Sequence, residues 1–279
     1  MTKNLKKYVM SHSIAARLQM LPAFIIIGAM KCGTTSLFRY LEKHPDFIAP
    51  KTKEIHYFDF KYDKGLDWYR RQFPTKIRKL KCRLQGRSIV TGEASPYYMY
   101  HPHACRRISA LIPEVKLIVL LRNPVDRAYS HYHNEIRHGR ESLTFEEALE
   151  TEPERLKGEL EKMVEDERYF SVHHGHHAYL GRGVYVEQLK ACRVYFPKEQ
   201  FLILDSDALF SDPQTMYDRV CDFVGLARHR IAEFKTHNPG GYQEQIPSEL
   251  RRKLVDYYAP HNEALYAYLG MEFNWDKPA

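Results

Sequence analysis

No apolar run in this chain approaches the roughly 20 residues that span a bilayer. Nor does a clean apolar stretch of the secretory-leader kind follow the first lysines. The start of the chain carries Lys3, Lys6 and Lys7, but His12, Arg17 and Gln19 interrupt what comes next. This stretch reads as a basic amphipathic helix, with Leu5, Val9, Ile14 and Leu18 on its apolar side, that docks on the protein or frays; peripheral membrane contact through it is the alternative. Cysteines are few. Cys32, Cys82, Cys105, Cys192 and Cys221 make an odd number without the paired spacing of a metal site. A disulfide framework is therefore not expected, and a reducing, cytoplasmic setting is the default. Internal repeats and low-complexity linkers are also missing. The 279 residues are expected to form one large domain over 22–279, behind a basic segment at 1–21.

What the chain has in excess is positive charge. Forty-two Lys and Arg against 35 Asp and Glu leave a formal charge of +7, which favours a polyanionic partner such as a nucleotide, an acidic glycan or a membrane surface. The cations are dispersed rather than run together, so nucleic acid is not the expected partner. Four apolar runs read as buried strands: Phe24–Gly28, Ser88–Glu93, Lys116–Arg122 and Phe201–Asp205. Helical patterns alternate with them, at Thr34–His44, His103–Ile112, Pro124–His138, Phe145–Lys162, Val184–Tyr195 and Asp212–Val224. A Pro/Gly-rich loop over 229–247 precedes a last helix, Ser248–Tyr258. The alternation predicts an α/β, P-loop-like three-layer fold, with a mainly parallel central sheet flanked by helices.

The first strand runs into Gly28-Ala29-Met30-Lys31-Cys32-Gly33-Thr34-Thr35-Ser36. Its two glycines have the spacing of an ATPase P-loop, G-x-x-x-x-G-K-[ST]. Gly33 lets the backbone close on an anion, and the free N–H groups of Thr34, Thr35 and Ser36 open a helix toward it. Thr34, however, stands where the P-loop lysine belongs, and Lys31 lies inside the loop instead. The third strand ends Leu121-Arg122-Asn123-Pro124, placing a cation where an ATPase would carry a magnesium-binding carboxylate. Arg122, with Arg127 and Ser130 on the following helix, forms a second anion cradle. Two cradles without a metal ligand suggest a nucleotide with phosphates at separate positions, handled without Mg²⁺.

At this point the residues resemble a family. Gly28–Leu37 and Leu120–Tyr132 are similar to the 5′-phosphosulfate loop and the 3′-phosphate motif of sulfotransferases that use 3′-phosphoadenosine 5′-phosphosulfate (PAPS). His44-Pro45-Asp46, Lys53–Asp59, Gly65–Tyr69, Gly92–Tyr98, Arg182–Tyr185 and Gly270–Trp275 follow in the order of the heparan sulfate branch and its bacterial relatives. The resemblance implies transfer of a sulfuryl group in line to a hydroxyl, less readily an amine, of a carbohydrate or glycolipid, releasing PAP and requiring no metal. It assigns Lys31 to the leaving oxygen. Lys31, Cys32, Gly33, Thr34, Thr35 and Ser36 would hold the 5′-phosphate, and Arg122 and Ser130 the 3′-phosphate. Lys235, Gly240, Gly241 and Tyr242 would fold over the nucleotide. Glu54 would be the general base, and the acceptor would meet Glu54, His56, Glu93, Ser95, Tyr97 and His176.

Departures from the pattern leave alternatives. Ala94 stands where the heparan sulfate enzymes carry a lysine that handles the acceptor or the transferring group, which leaves open another kind of acceptor, a small phenol or alcohol among them. A glutamate beside Lys51 and Lys53 could also be a surface ion pair, and Glu93 is a minor candidate for the base. His101 or His103 could serve as a base of the kind used by the aryl and steroid enzymes. The stretch His173-His174-Gly175-His176-His177 reads as a solvated loop, as an acceptor-side loop, or least readily as an adventitious metal site. Outside the class stand a P-loop kinase and a non-catalytic basic module that binds an acidic polymer.

Overall fold

The computed structural model describes residues 14–237 and 245–276. The basic start of the chain and Gly240, Gly241 and Tyr242 lie outside the described residues. The four apolar runs do become strands: β1 Phe24–Gly28, β2 Gly92–Ala94, β3 Lys116–Leu121 and β4 Phe201–Asp205. They form one parallel sheet in the order β2-β1-β3-β4. Every residue of β1 is buried, as expected of a strand covered on both faces. β2 is shorter than the pattern suggested. Val90 bridges Phe47 instead of joining the sheet, and pairing with β1 starts only at Gly92 opposite Phe24. A Cβ on Gly92 would lie 2.4 Å from the Phe24 ring, so this close approach requires glycine.

The helices are α1 Ile14–Arg17, α2 Thr34–Leu41, α3 Gly65–Arg70, α4 Lys76–Leu84, α5 Ala104–Leu111, α6 Pro124–Arg137 and α7 Phe145–Leu156, followed by α8 Glu159–Glu165, α9 Val172–His176, α10 Tyr185–Arg193, α11 Ser206–Ser211, α12 Pro213–Val224 and α13 Ser248–Leu269. From β1 the chain crosses through α2 to β2 on one side, then returns through α5 to β3 on the other. Right-handed crossovers in opposite directions place α2 and α5 on opposite faces. The direction reverses between β1 and β3, so a crevice opens at the carboxyl ends of those two strands. That is where the Lys31 loop and Arg122 sit. The main core surrounds the sheet, and a smaller one joins α6, α7 and α13 through Val125, Tyr129, Phe145, Leu149 and Tyr258.

Three expectations need correction. The acidic helix breaks at Lys157–Gly158, where Gly158 takes φ 72° and starts α8 as a separate helix. The last helix does not stop at Tyr258 but carries Pro260 within it and ends at Gly270, φ 67°. Cys105 on α5 and Cys192 on α10 form a disulfide, leaving Cys32, Cys82 and Cys221 free. The two bonded residues are 87 positions apart, and packing of α5 against α10 brings their Cα atoms to 5.3 Å. The cysteine argument for a reducing setting lapses with that bridge. Separately, no described helix is long and apolar enough to cross a membrane.

A thiol-alkylating reagent added to the denatured, unreduced protein should label three of the five cysteines. Labelling of all five would contradict the bridge. Replacing Cys105 by Ser should lower stability by about 2–4 kcal/mol, read from denaturant unfolding.

Candidate active site

The loop after β1 is built to leave a helix end unfilled. Gly33 is the N-cap of α2 at φ 88°, and no side chain caps the helix. The first-turn N–H groups have no intrahelical acceptor, so they present partial positive charge at the crevice. A Cβ at Gly33 would meet Phe210 at 3.1 Å and Leu209 at 3.3 Å, besides the strained φ. Two non-glycine residues among those described have positive φ, Lys31 at 71° and His56 at 55°, and both line the same cavity of about 570 Å³. Left-handed backbone at such residues costs on the order of 1 kcal/mol each and collects where a side chain must be aimed.

Charge in this cavity is unbalanced. Lys31 donates from Nζ to Asn134 Oδ1 at 3.3 Å. Burial pushes its ammonium below the usual lysine value, and Arg137, Arg122 and Arg127 push it further, with Glu135 opposing them. Arg122 and Ser130 line the same cavity, from the end of β3 and from α6. No carboxylate among the described residues pairs with Arg122. Arg127 is fully buried; one arm donates to the Tyr179 carbonyl, while its Nε and Nη1 have no hydrogen-bond partner among the described residues. Cations gathered around an uncapped helix end are chemically suited to a polyanion.

Facing this cradle is a chain of four side chains. Lys53 Nζ donates to Thr35 Oγ1 at 2.9 Å and to Glu54 Oε1 at 2.5 Å. His56 donates from Nε2 to Glu54 Oε2 at 3.3 Å and from Nδ1 to Asp59 Oδ2 at 2.7 Å. The His56 N–H is held by Ser95 Oγ at 3.3 Å. Burial opposes ionisation of Glu54, but the bonds from His56 and Lys53 together with their charges hold its carboxyl at about 2. Burial likewise opposes charge on His56, yet the bonds to Asp59 and Glu54 push it up to about 9. The surface ion pair weighed for Glu54 therefore exists with Lys53, but within the cavity wall rather than on an outer surface.

The other sequence-assigned residues divide clearly. Gly33, Thr34, Thr35, Tyr97 and His176 line the cavity. Cys32 does not: its thiol turns inward to Tyr185, and burial pushes it up to about 11. Ser36 is buried, and its hydroxyl exchanges hydrogen bonds with the His237 backbone, leaving only its N–H for an anion. Lys235 is exposed and pairs with Glu233 at 3.4 Å, so Thr236 and His237 line the cavity in its place. Glu93 is wholly buried under Tyr69, Ser95 and Tyr98, and burial raises its carboxyl to about 7; it lies behind the wall and away from an acceptor. Ser95 acts there as the link to His56. His101 and His103 are buried and do not line the cavity; burial, with Arg107, pushes both below the usual histidine value, His101 to about 2.

The histidine stretch is not a solvated loop. It forms α9, where His174 accepts from the Tyr97 hydroxyl at 2.6 Å and stacks on Tyr100, while His176 faces Glu135 at 3.4 Å. Sequence reasoning missed Asn134 and His138. Both line the cavity at four-residue spacing from Ser130, and that spacing along one helix face was the available signal. It also missed Arg182, which is buried over Tyr97 at 4.6 Å and donates to the carbonyls of His174 and Gly175 and to Met30 Sδ. That contact ties α9 to the Lys31 loop.

Comparison with known proteins bears on this arrangement. The family model described as Sulfotransferase domain matches residues 21–238. The chain belongs to the sulfotransferase family. This sulfotransferase-family chain is 32% identical, over 92% of its length and 65% of the relative's, to human heparan sulfate glucosamine 3-O-sulfotransferase 3B1. It is 28% identical to the membrane-associated sulfotransferase kil1 of Dictyostelium discoideum, over 94% of its own length and 68% of that protein's. It thus spans about two thirds of these curated relatives. Among solved structures, a sulfotransferase from Alicyclobacillus acidocaldarius is 29% identical and matches with a TM-score of 0.70, covering 92% of this chain and all of that one.

His56 gives a direct check on the site. Its folded value lies above the ordinary 6.5, so its contribution to stability is complete below pH 6.5 and is lost as pH rises through about 9. An NMR titration should find one ring changing near pH 9 in the wild type and moving down in Asp59→Asn. A His56 signal titrating near 6.5 in both proteins would contradict the bonding described.

Proposed function

We propose that the chain transfers the sulfuryl group of PAPS in line to a hydroxyl of a carbohydrate or glycolipid, with Glu54 as general base. The observation that carries this reading is the meeting of two features in one cavity: an uncapped helix end sharing the lining with Lys31 and Arg122, and an ionised, hydrogen-bonded glutamate. The Thr34, Thr35 and Ser36 N–H groups would hold the 5′-phosphate, Lys31 would neutralise charge on the leaving oxygen, and Arg122 with Ser130 would bind the 3′-phosphate. Among the described residues of the 229–247 loop, Thr236 and His237 reach the cavity. A family relative named for 3-O-sulfation of heparan sulfate glucosamine supports a sugar acceptor over a phenol.

A carboxyl held at about 2 is a weak base, and Lys53 offers a remedy. Its ammonium bridges Thr35 and Glu54. Negative charge arriving at the Thr35 end would draw the ammonium toward itself, and Glu54 would then lose a donor and become more basic as the acceptor enters. The same movement places a cation beside the donor cradle, on the side where Ala94 leaves none; the Ala94 N–H in fact contacts the Lys53 carbonyl at 3.4 Å. Phe60 and Tyr97, stacked at 4.9 Å along the wall, offer a flat face for a sugar ring.

Transfer of radiolabelled sulfate from PAPS should be tested on glycans, glycolipids and phenols with chelator present. Incorporation into a glycan or glycolipid supports the reading; incorporation into phenols alone, or none with phosphate transfer from ATP instead, overturns it. Glu54→Gln should lower kcat by roughly 10²–10⁴ with the melting temperature nearly unchanged, and equal loss of both would make Glu54 structural. Lys53→Ala should lower kcat by roughly 10–10³; an unchanged kcat would remove Lys53 from the mechanism.

A further inference from the structure

Helix α4, Lys76-Ile77-Arg78-Lys79-Leu80-Lys81-Cys82-Arg83-Leu84, has no buried residue, although its sequence is amphipathic. Ile77 is 51% exposed, Leu80 57% and Leu84 81%. At 100° per residue these three fall within a 60° arc, with Lys76 and Lys81 on its two flanks. Five of the nine residues are cations and none is acidic, and no carboxylate among the described residues pairs with those five. A helix left this way spends apolar surface on water without return from its own fold. It is nevertheless firmly placed: Thr75 caps it by accepting from the Arg78 N–H at 3.1 Å, and the Lys76 N–H donates to the Leu18 carbonyl at 2.7 Å.

We propose that α4 docks on an anionic lipid bilayer, its aliphatic stripe entering the headgroup boundary and its cations meeting lipid phosphates and carboxylates. Charge selects this occupant over the alternatives. A second copy of the chain would bring five cations against five. Residues 1–13 hold three lysines and no acid, so they too would be repelled. An acidic glycan would satisfy the cations but not the stripe, which contains no aromatic ring on which a sugar could stack. A bilayer surface satisfies both, the combination by which amphipathic helices lie in the interface. Gln19, just after α1, bridges Thr75, the cap of α4, and so anchors this edge of the helix from a second side.

The test is co-sedimentation of the full chain with vesicles near physiological salt. The wild type should partition onto phosphatidylcholine vesicles containing about a third phosphatidylserine, and not onto phosphatidylcholine alone. Leu80→Ser with Leu84→Ser should weaken that partition by roughly tenfold or more, and Lys79→Glu with Lys81→Glu should abolish it. Both variants leave residues 1–13 intact, so the loss reports on α4. Their melting temperatures should match the wild type, since none of these side chains is buried. Three results would overturn the proposal: no partition of the wild type onto anionic vesicles, unchanged partition of the serine variant, or retention on a heparin column that the serine substitutions leave intact while vesicles bind nothing. A wild-type dimer dispersed by the serine substitutions would overturn it in favour of a second copy. Sulfuryl transfer plays no part in these readouts, so the lipid proposal and the enzymatic one stand or fall separately.

Discussion

Positive charge held without its anion is the constraint around which the site is organised. The winding of the parallel sheet reverses between β1 and β3, and the crevice so opened receives the bare end of α2, the ammonium of Lys31 and the guanidinium of Arg122. Each of these groups raises the energy of the others. Burial depresses the proton affinity of Lys31 first, and repulsion by the neighbouring arginines adds to it. A folded chain tolerates such a cluster when surrounding packing over-determines it, and here the clamp is visible. The loop is pinned by Gly33 against Phe210 and Leu209, and by buried Arg182 reaching Met30. A ligand carrying two separated anionic groups would relieve the repulsion on binding.

The opposite wall solves a different problem. A carboxylate proposed as general base in a positive cavity is easily neutralised by its neighbours, and Glu54 is held by two donors, Lys53 and His56. The resolution lies in which donors these are. His56 is fixed from behind by Asp59 and Ser95, so its bond orients the carboxylate. Lys53 is shared with Thr35, so its bond can be surrendered. Donor cradle and base are thereby joined through one flexible ammonium. In the proposed reaction Glu54 would feel the arrival of charge at a site it does not itself touch.

Much of this was legible in residue order. Continuous Ile/Val/Leu runs declared a sheet covered on both faces, and the displaced lysine at 31, with Arg122 after β3, separated the loop from that of an ATPase. Other features could not be read because they depend on tertiary approach. The positive φ of Lys31 and of His56 is imposed by packing. The Cys105–Cys192 bridge needs α5 and α10 side by side. Lys53, next to a glutamate, looked like half of an exposed ion pair until Thr35 was brought within 2.9 Å of it. The last helix reads from sequence as ending at Tyr258, yet α13 continues through Pro260 to Leu269. Cys32 and Lys235, assigned by their place in a motif, turn their side chains away from the cavity, because a motif places backbone and not rotamer.

Calorimetric titration with PAP in the presence of chelator tests the central claim most directly. The account predicts metal-independent binding to the wild type, and an affinity loss in Arg122→Ala that is large for PAP and small for adenosine 5′-phosphosulfate, which lacks the second phosphate. Absence of PAP binding, or binding of ATP only when Mg²⁺ is added, would contradict it.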